Sequence, residues 1–234
     1  DEQTLITDGY SFFPKKFSLY ACRYLFTRTS SVVRGYILSI IVTTIGTVLN
    51  LLITVLYAYP LSRKQLPGRN FFAFYLFFTM LFSGGLVPSY LMWTQTFHIR
   101  NTIFALLIPH LLMNAFNVIM MRTYFTANIP DAIIEAAKVD GAGEFRILFG
   151  IVLPMALPIL ATIGLLVGLG YWNDWMNGLY YINDDRMYSI QVLLMNIQKN
   201  LDSLRQQAQS GGNVSAANLP STSVRMALTV MGIL

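Results

Sequence analysis

The sequence predicts an all-α, polytopic membrane protein, a bundle of apolar helices, and three observations carry that prediction. Hydrophobic residues make up 55% of the 234 and charged residues 12%, with a mean hydropathy of +0.53; soluble domains carry roughly a quarter charged residues. Long runs hold no charge at all: Gly35–Tyr59, Phe71–Phe97, Asn101–Met121 and Ile147–Leu169. A run of about 20 such residues spans some 30 Å of hydrocarbon. The basic residues between the runs are unevenly shared, as they are where charge sets topology. A single transmembrane domain over 34–234 follows, preceded by an extracytoplasmic or interfacial segment, 1–33.

Within that first segment, Phe17 to Phe26 places aromatic and apolar residues at roughly helical spacing. It reads either as a helix lying in the membrane interface or as an ordered soluble segment. Gly35–Tyr59 is the first span, closed by Pro60 and the basic cluster Arg63, Lys64 and Arg69. Phe71–Phe97 is the second, interrupted at Ser83-Gly84-Gly85 and Pro88. Such a break at membrane depth survives only where protein or a water-lined cavity satisfies the freed backbone. Asn101–Met121 is the third, and it carries Pro109, His110, Asn114 and Asn117. Ile147–Leu169 is the fourth, with Pro154 and Pro158 kinking its start and Gly164, Gly168 and Gly170 permitting close helix approach. Residues 171–222 form a long polar connection outside the membrane, and Val224 opens a fifth span.

Basic residues orient the bundle. Arg63, Lys64 and Arg69 follow the first span, Arg122, Lys138 and Arg146 the third, and only Arg100 the second. The first and third connections are therefore cytoplasmic. The third connection, about 127–146, is also the one stretch where charges of both signs crowd together. Pro130 needs no backbone donor at a first helical turn, Asp131 complements the helix N-terminal partial charge, and Gly141 stands where a helix end takes a left-handed residue. This predicts a short surface helix too polar for lipid.

Few residues suggest chemistry. No phosphate cradle GxxxxGK[ST] is present, nor HExxH, CxxC or GxSxG, so the sequence predicts neither nucleotide chemistry nor a metal site. Cys22 stands alone, excluding an internal disulfide. No basic stripe interleaved with stacking aromatics points to nucleic acid. Asn114 and Asn117, three apart on one face, either hold helices together or line a polar path that bonds sugar hydroxyls. His110 is either a bundle histidine or one with a ligand or proton-relay role. Tyr171, Trp172, Asn173, Asp174 and Trp175 alternate aromatic faces with amide and carboxylate groups. That pattern suits carbohydrate stacking and an interfacial aromatic belt equally.

Glu135-Ala136-Ala137, Asp140-Gly141-Ala142 and Leu153-Pro154 closely resemble, in order and spacing, the EAA loop of permease subunits of binding-protein-dependent ABC importers. The resemblance implies the type I importer fold, with six spans per subunit, so that one span is expected before Asp1 and the last is truncated. It implies that the helix in this loop docks on a separate ATPase, through Asp131, Glu135, Ala136, Ala137, Asp140, Gly141, Leu153 and Pro154. It further implies a multi-pass protein of the bacterial plasma (inner) membrane. The expected partners are a second homologous permease, two copies of the ATPase and an extracytoplasmic sugar-binding protein. The chain itself would be non-catalytic and bind no cofactor, ATP and Mg belonging to the ATPase. The YWNDW ending of the fourth span and the insert near 196–222 resemble permeases for oligosaccharides or polysaccharide fragments. An ion-coupled secondary transporter is the competing expectation, but it would show carboxylates inside its spans, and the uncharged runs hold none.

Overall fold

The computed structural model describes residues 29–209, and every element among them is helical. The expected interfacial helix at 17–26, the run opening at Val224 and the end of the 196–222 insert lie outside the described residues. The chain divides into two compact units, one of residues 40–181 and one of residues 1–39 with 182–234.

Helix α1, Thr29–Ser62, contains the first expected span and runs on past Pro60 for one more half-turn. Among the described residues it is the one helix that is long and apolar enough to cross a membrane unaided. Residues Arg69–Leu81 form α2 and Leu86–Leu91 form α3, the latter extended by a π-helical turn, Met92–Thr96. These two arms of the second run meet at 111°. The corner falls at the predicted break, where Gly85 takes φ 83°, a value that favours glycine. The flank of α2 exposes Phe71, Phe74, Tyr75 and Phe82, a surface suited to lipid or another apolar partner.

The third run departs from expectation. It is not one helix: Ile103–Leu107 (α4) ends before Pro109, and Ala115–Asn128 (α5) begins beyond Asn114. Between them His110 adopts φ 62°. Proline cannot donate within a helix and disfavours helical geometry in the residue before it. Asn114 then restarts the helix as its cap, its side-chain oxygen accepting the Phe116 N–H at 2.9 Å.

After the surface helix α6, Asp131–Val139, the chain forms α7 (Glu144–Ile147), a π-helical turn (Leu148–Val152), α8 (Leu153–Met155) and α9 (Leu157–Trp172). The bend between α8 and α9 lies at Ala156, between Pro154 and Pro158, as their positions predicted, and the flanking segments diverge by 82°. Each bent pair is long and apolar enough to count as one broken span. Helix α10, Met176–Tyr181, completes this unit.

In the other unit, the polar connection expected over 171–222 contains a 20-residue helix, α11, Ile190–Gln209. Ile190, Val192 and Leu194 are buried at its start. The Ile190 N–H donates to the Ser39 hydroxyl at 3.0 Å, and Gly35 lies close against the backbone of Ile190 and Tyr188.

Candidate functional site

The charged loop is built on local capping chemistry. Pro130 precedes α6 with extended backbone, and the Ile133 N–H reaches back to its carbonyl at 3.2 Å. At the other end the Ala142 N–H donates to Ala137 at 2.9 Å and the Gly141 N–H to Lys138 at 3.0 Å. Those two bonds, with Gly141 at φ 79°, make a Schellman ending that satisfies two otherwise unpaired carbonyls. Only Ile134 and Ala137 are buried. Asp131, Glu135, Ala136 and Asp140 stand exposed, so Ala137 packs against its own chain while the others face outward. Two apolar groups stand beside them that were not among the expected docking residues: Val139 is 88% exposed and Phe145 72%. Leu153 and Pro154 belong to α8, beyond the π-helical turn.

Polar contacts tie both ends of α6 to the end of α1. Asp131 pairs with Arg63 at 3.4 Å and Lys64 at 3.6 Å. Lys138 pairs with Glu144 at 2.7 Å. Tyr59, buried, donates its hydroxyl to the same Glu144 carboxylate at 2.7 Å, and the Arg63 guanidinium sits 5.2 Å above the Tyr59 ring. Glu144 stands in the turn ahead of the fourth span. The hydrogen bond from Lys138, then that from Tyr59, holds its carboxyl below the usual carboxylate range. A cleft of about 420 Å³ opens here, walled by Leu56, Pro60, Phe145 and Leu148 and edged by Arg63 and Lys138.

The second arrangement surrounds the broken third run. Breaking a helix at membrane depth frees carbonyls that need donors, and side chains from three distant elements supply them. Tyr171 donates its hydroxyl to Leu107 at 2.9 Å, Asn177 its amide to Pro109 at 2.9 Å, and Asn50 its amide to Leu111 at 2.6 Å. Thr54 in turn donates to the Asn50 side-chain oxygen at 3.2 Å. Asn50 was not singled out in the sequence. Asn50 had one signal: an amide inside an uncharged span is costly unless bonded.

This scaffold encloses a cavity of about 200 Å³ lined by Asn50, His110, Leu111, Asn114, Asn117 and Gly170. The Asn114–Asn117 pair therefore meets at one cavity, though Asn114 stands at the helix cap and not within a continuous span. The YWNDW residues do not gather there. Tyr171 is buried with its hydroxyl committed to Leu107. Asn173 donates to the Leu169 carbonyl at 3.0 Å. Asp174 caps α10 by accepting the Met176 and Asn177 N–H groups at 3.1 and 3.2 Å. Trp172 is half-buried and Trp175 exposed.

Comparison with known proteins gives concordant findings. Residues 35–234 match the family described as "Binding-protein-dependent transport system inner membrane component". The polygalacturonan/rhamnogalacturonan transport system permease protein YtcP of Bacillus subtilis (strain 168) is 37% identical over 229 residues, 98% of this chain and 78% of that protein. Protein LplC of the same organism is 34% identical over 233 residues, 100% of this chain and 77% of the relative. Among solved structures, a chain of a bacterial ABC transporter involved in the import of the acidic polysaccharide alginate superposes with a TM-score of 0.81 at 28% identity. The match covers 98% of this chain and 80% of that one.

Proposed function

The chain belongs to the family of inner membrane components of binding-protein-dependent transport systems, and from that membership we propose the finer reading that follows. It is one of two homologous permease subunits that together cross the membrane many times. It forms part of the path for an oligosaccharide or polysaccharide fragment delivered by an extracytoplasmic binding protein. ATP and Mg are handled by two copies of a separate ATPase, and α6 is the helix through which their closure is felt.

The observation that carries this reading is the α6 loop: a nine-residue helix, held to its own chain by little buried surface, that exposes Glu135 and Ala136 beside the apolar Val139 and Phe145. A charged rim around exposed apolar anchors is the make-up of a docking surface. The cavity supports the substrate class. Amides both donate and accept, as sugar hydroxyls do, and Asn50, Asn114 and Asn117 gather around it with His110. Similar proteins belong to transport systems for polygalacturonan/rhamnogalacturonan and for alginate, in keeping with that class.

The test is gentle solubilisation followed by co-purification and uptake of radiolabelled oligosaccharide. An ATPase subunit retained by the chain, with uptake abolished in Glu135→Lys while the protein stays in the membrane, supports the reading. Absence of any ATPase, or unchanged uptake in that variant, overturns it.

A further inference from the structure

We propose that the Tyr59–Glu144 hydrogen bond is the joint that passes movement of α6 into α1, and that α1 carries it to the cavity. Tyr59 and Glu144 are thus positioning residues of the transport cycle. The proposal rests on reading α6 as the ATPase-facing helix and adds the route that leaves it.

Packing does not explain how α6 keeps its place. It buries only Ile134 and Ala137, so its fastening falls to its ends. Both ends reach the C-terminal end of α1 or the two residues that follow it. Asp131, at the first, meets Arg63 and Lys64; Lys138, at the last, meets Glu144, and Glu144 meets Tyr59. Tyr59 and Arg63 are four residues apart and stack on one another. The circuit is closed.

The contacts differ in strength, and that decides which one transmits. The Asp131 pairs are 3.4 and 3.6 Å long, with the Asp131 side chain 59% exposed. Solvent-screened pairs of this kind contribute little. The bond from Tyr59 is 2.7 Å long and its donor is 5% exposed; its acceptor, though 56% exposed, is an ionised carboxylate, so the contrast lies in the shorter distance and the buried donor. Charge-assisted bonds of that geometry are about twice as strong as neutral ones. Glu144 also stands just past the Gly141 turn and grips Lys138 across it, so displacement of α6 loads Glu144 directly.

Beyond Tyr59 the route is a rigid rod. Nine residues back along α1, roughly 13 Å at the helical rise, Asn50 holds the Leu111 carbonyl beside the left-handed His110 at the cavity. Tyr59 and Asn50 are therefore two ends of one stretch of helix, the first bonded to the loop and the second to the cavity wall.

The experiment uses the complete transporter, with its own ATPase and binding protein, in proteoliposomes. Tyr59→Phe keeps the ring under Arg63 and deletes only the hydroxyl. The readouts are sugar taken up per ATP hydrolysed and the amount of ATPase bound. The expected result is normal ATPase binding with sugar per ATP reduced by about two- to five-fold, the scale of a hydrogen bond to a half-exposed carboxylate. Glu144→Gln, a change on an exposed turn, should lower the same ratio. Combined with Tyr59→Phe it should add less than the product of the two single effects, since both sit in one link. Should Tyr59→Phe fail to accumulate, Glu144→Gln decides by the same ratio. A wild-type ratio in the deciding variant overturns this joint while leaving α6 as the docking helix. A native chain that binds no ATPase overturns both readings.

Discussion

Replacing Gly46 with alanine places the new methyl carbon 2.5 Å from two atoms of the Tyr171 ring and 2.7 Å from a third. Ordinary contact begins near 3.4 Å, so the ring has to retreat by about 0.9 Å. It is not free to do so. Tyr171 is buried, and its hydroxyl holds the Leu107 carbonyl at 2.9 Å, a bond that a retreat of that size stretches or breaks. Overpacking of this kind costs about 1–3 kcal/mol, and an interhelical hydrogen bond in a membrane protein contributes roughly 0.6 kcal/mol. Alanine recovers up to about 1 kcal/mol through helix propensity, leaving a net loss on the order of 1–3 kcal/mol. In a chain of this size each kcal/mol moves the thermal midpoint by about 2–4 °C. The detergent-solubilised variant should therefore melt several degrees below the native protein. Oligosaccharide uptake should fall with it, because Leu107 anchors the segment that walls the cavity. In a Tyr171→Leu background the ring is gone, and the same Gly46→Ala change should be nearly neutral. A Gly46→Ala protein that melts with the native one while Tyr171 is present would refute the packing argument.

Other consequences follow from the two sites. Gly141→Val puts a β-branched residue at φ 79° where its Cβ meets nothing, so the cost is backbone strain of about 1–2 kcal/mol or more; uptake should be lost, with the protein still found in the membrane fraction by immunoblot. His110→Gly removes the strain of a left-handed histidine at φ 62° and should raise the thermal midpoint by about 2–4 °C, while uptake assays show weaker transport because the cavity loses a polar wall. For Glu144 the folded pKa lies below the unfolded value of about 4.3, lowered first by Lys138 and then by Tyr59. Its contribution is thus complete above the unfolded value and disappears as pH falls through the folded one. Melting native and Glu144→Gln proteins across pH should show a small, constant difference from neutrality down to about pH 5, closing at lower pH; with the carboxylate 56% exposed, that difference stays below roughly 1 kcal/mol.

The parts legible in the sequence were those governed by neighbours in sequence. The α6 helix, its proline start and its Gly141 ending follow from residues within one turn of each terminus. The corner at Gly85 and the bend between Pro154 and Pro158 follow from residues that cannot sustain a straight helix. The break after Leu107 was less visible. Pro109 announced a disturbance, but nothing local says that His110 turns left-handed. The carbonyls freed there are captured by Asn50, Asn177 and Tyr171, residues 61 to 68 positions away from their acceptors. Such pairing is a tertiary fact. Tyr171 shows what composition leaves open: YWNDW suits carbohydrate stacking and an aromatic belt equally, and Tyr171 itself fills the notch left by Gly46 and anchors a backbone. Asn114 has a second role that was not weighed from the sequence, since an asparagine just before an apolar run is also an N-cap signal. Helix α11 was hidden by its polar composition, although Ile190, Val192 and Leu194 at its start are buried.

The central claim is that α6 and its flanks meet a separate ATPase, and Val139, 88% exposed beside that helix's end, is placed to report it. A photo-reactive side chain at Val139, activated in proteoliposomes holding the complete transporter, should form one main adduct with the ATPase subunit. Adducts confined to lipid or to another permease subunit, with none to the ATPase, would contradict the account.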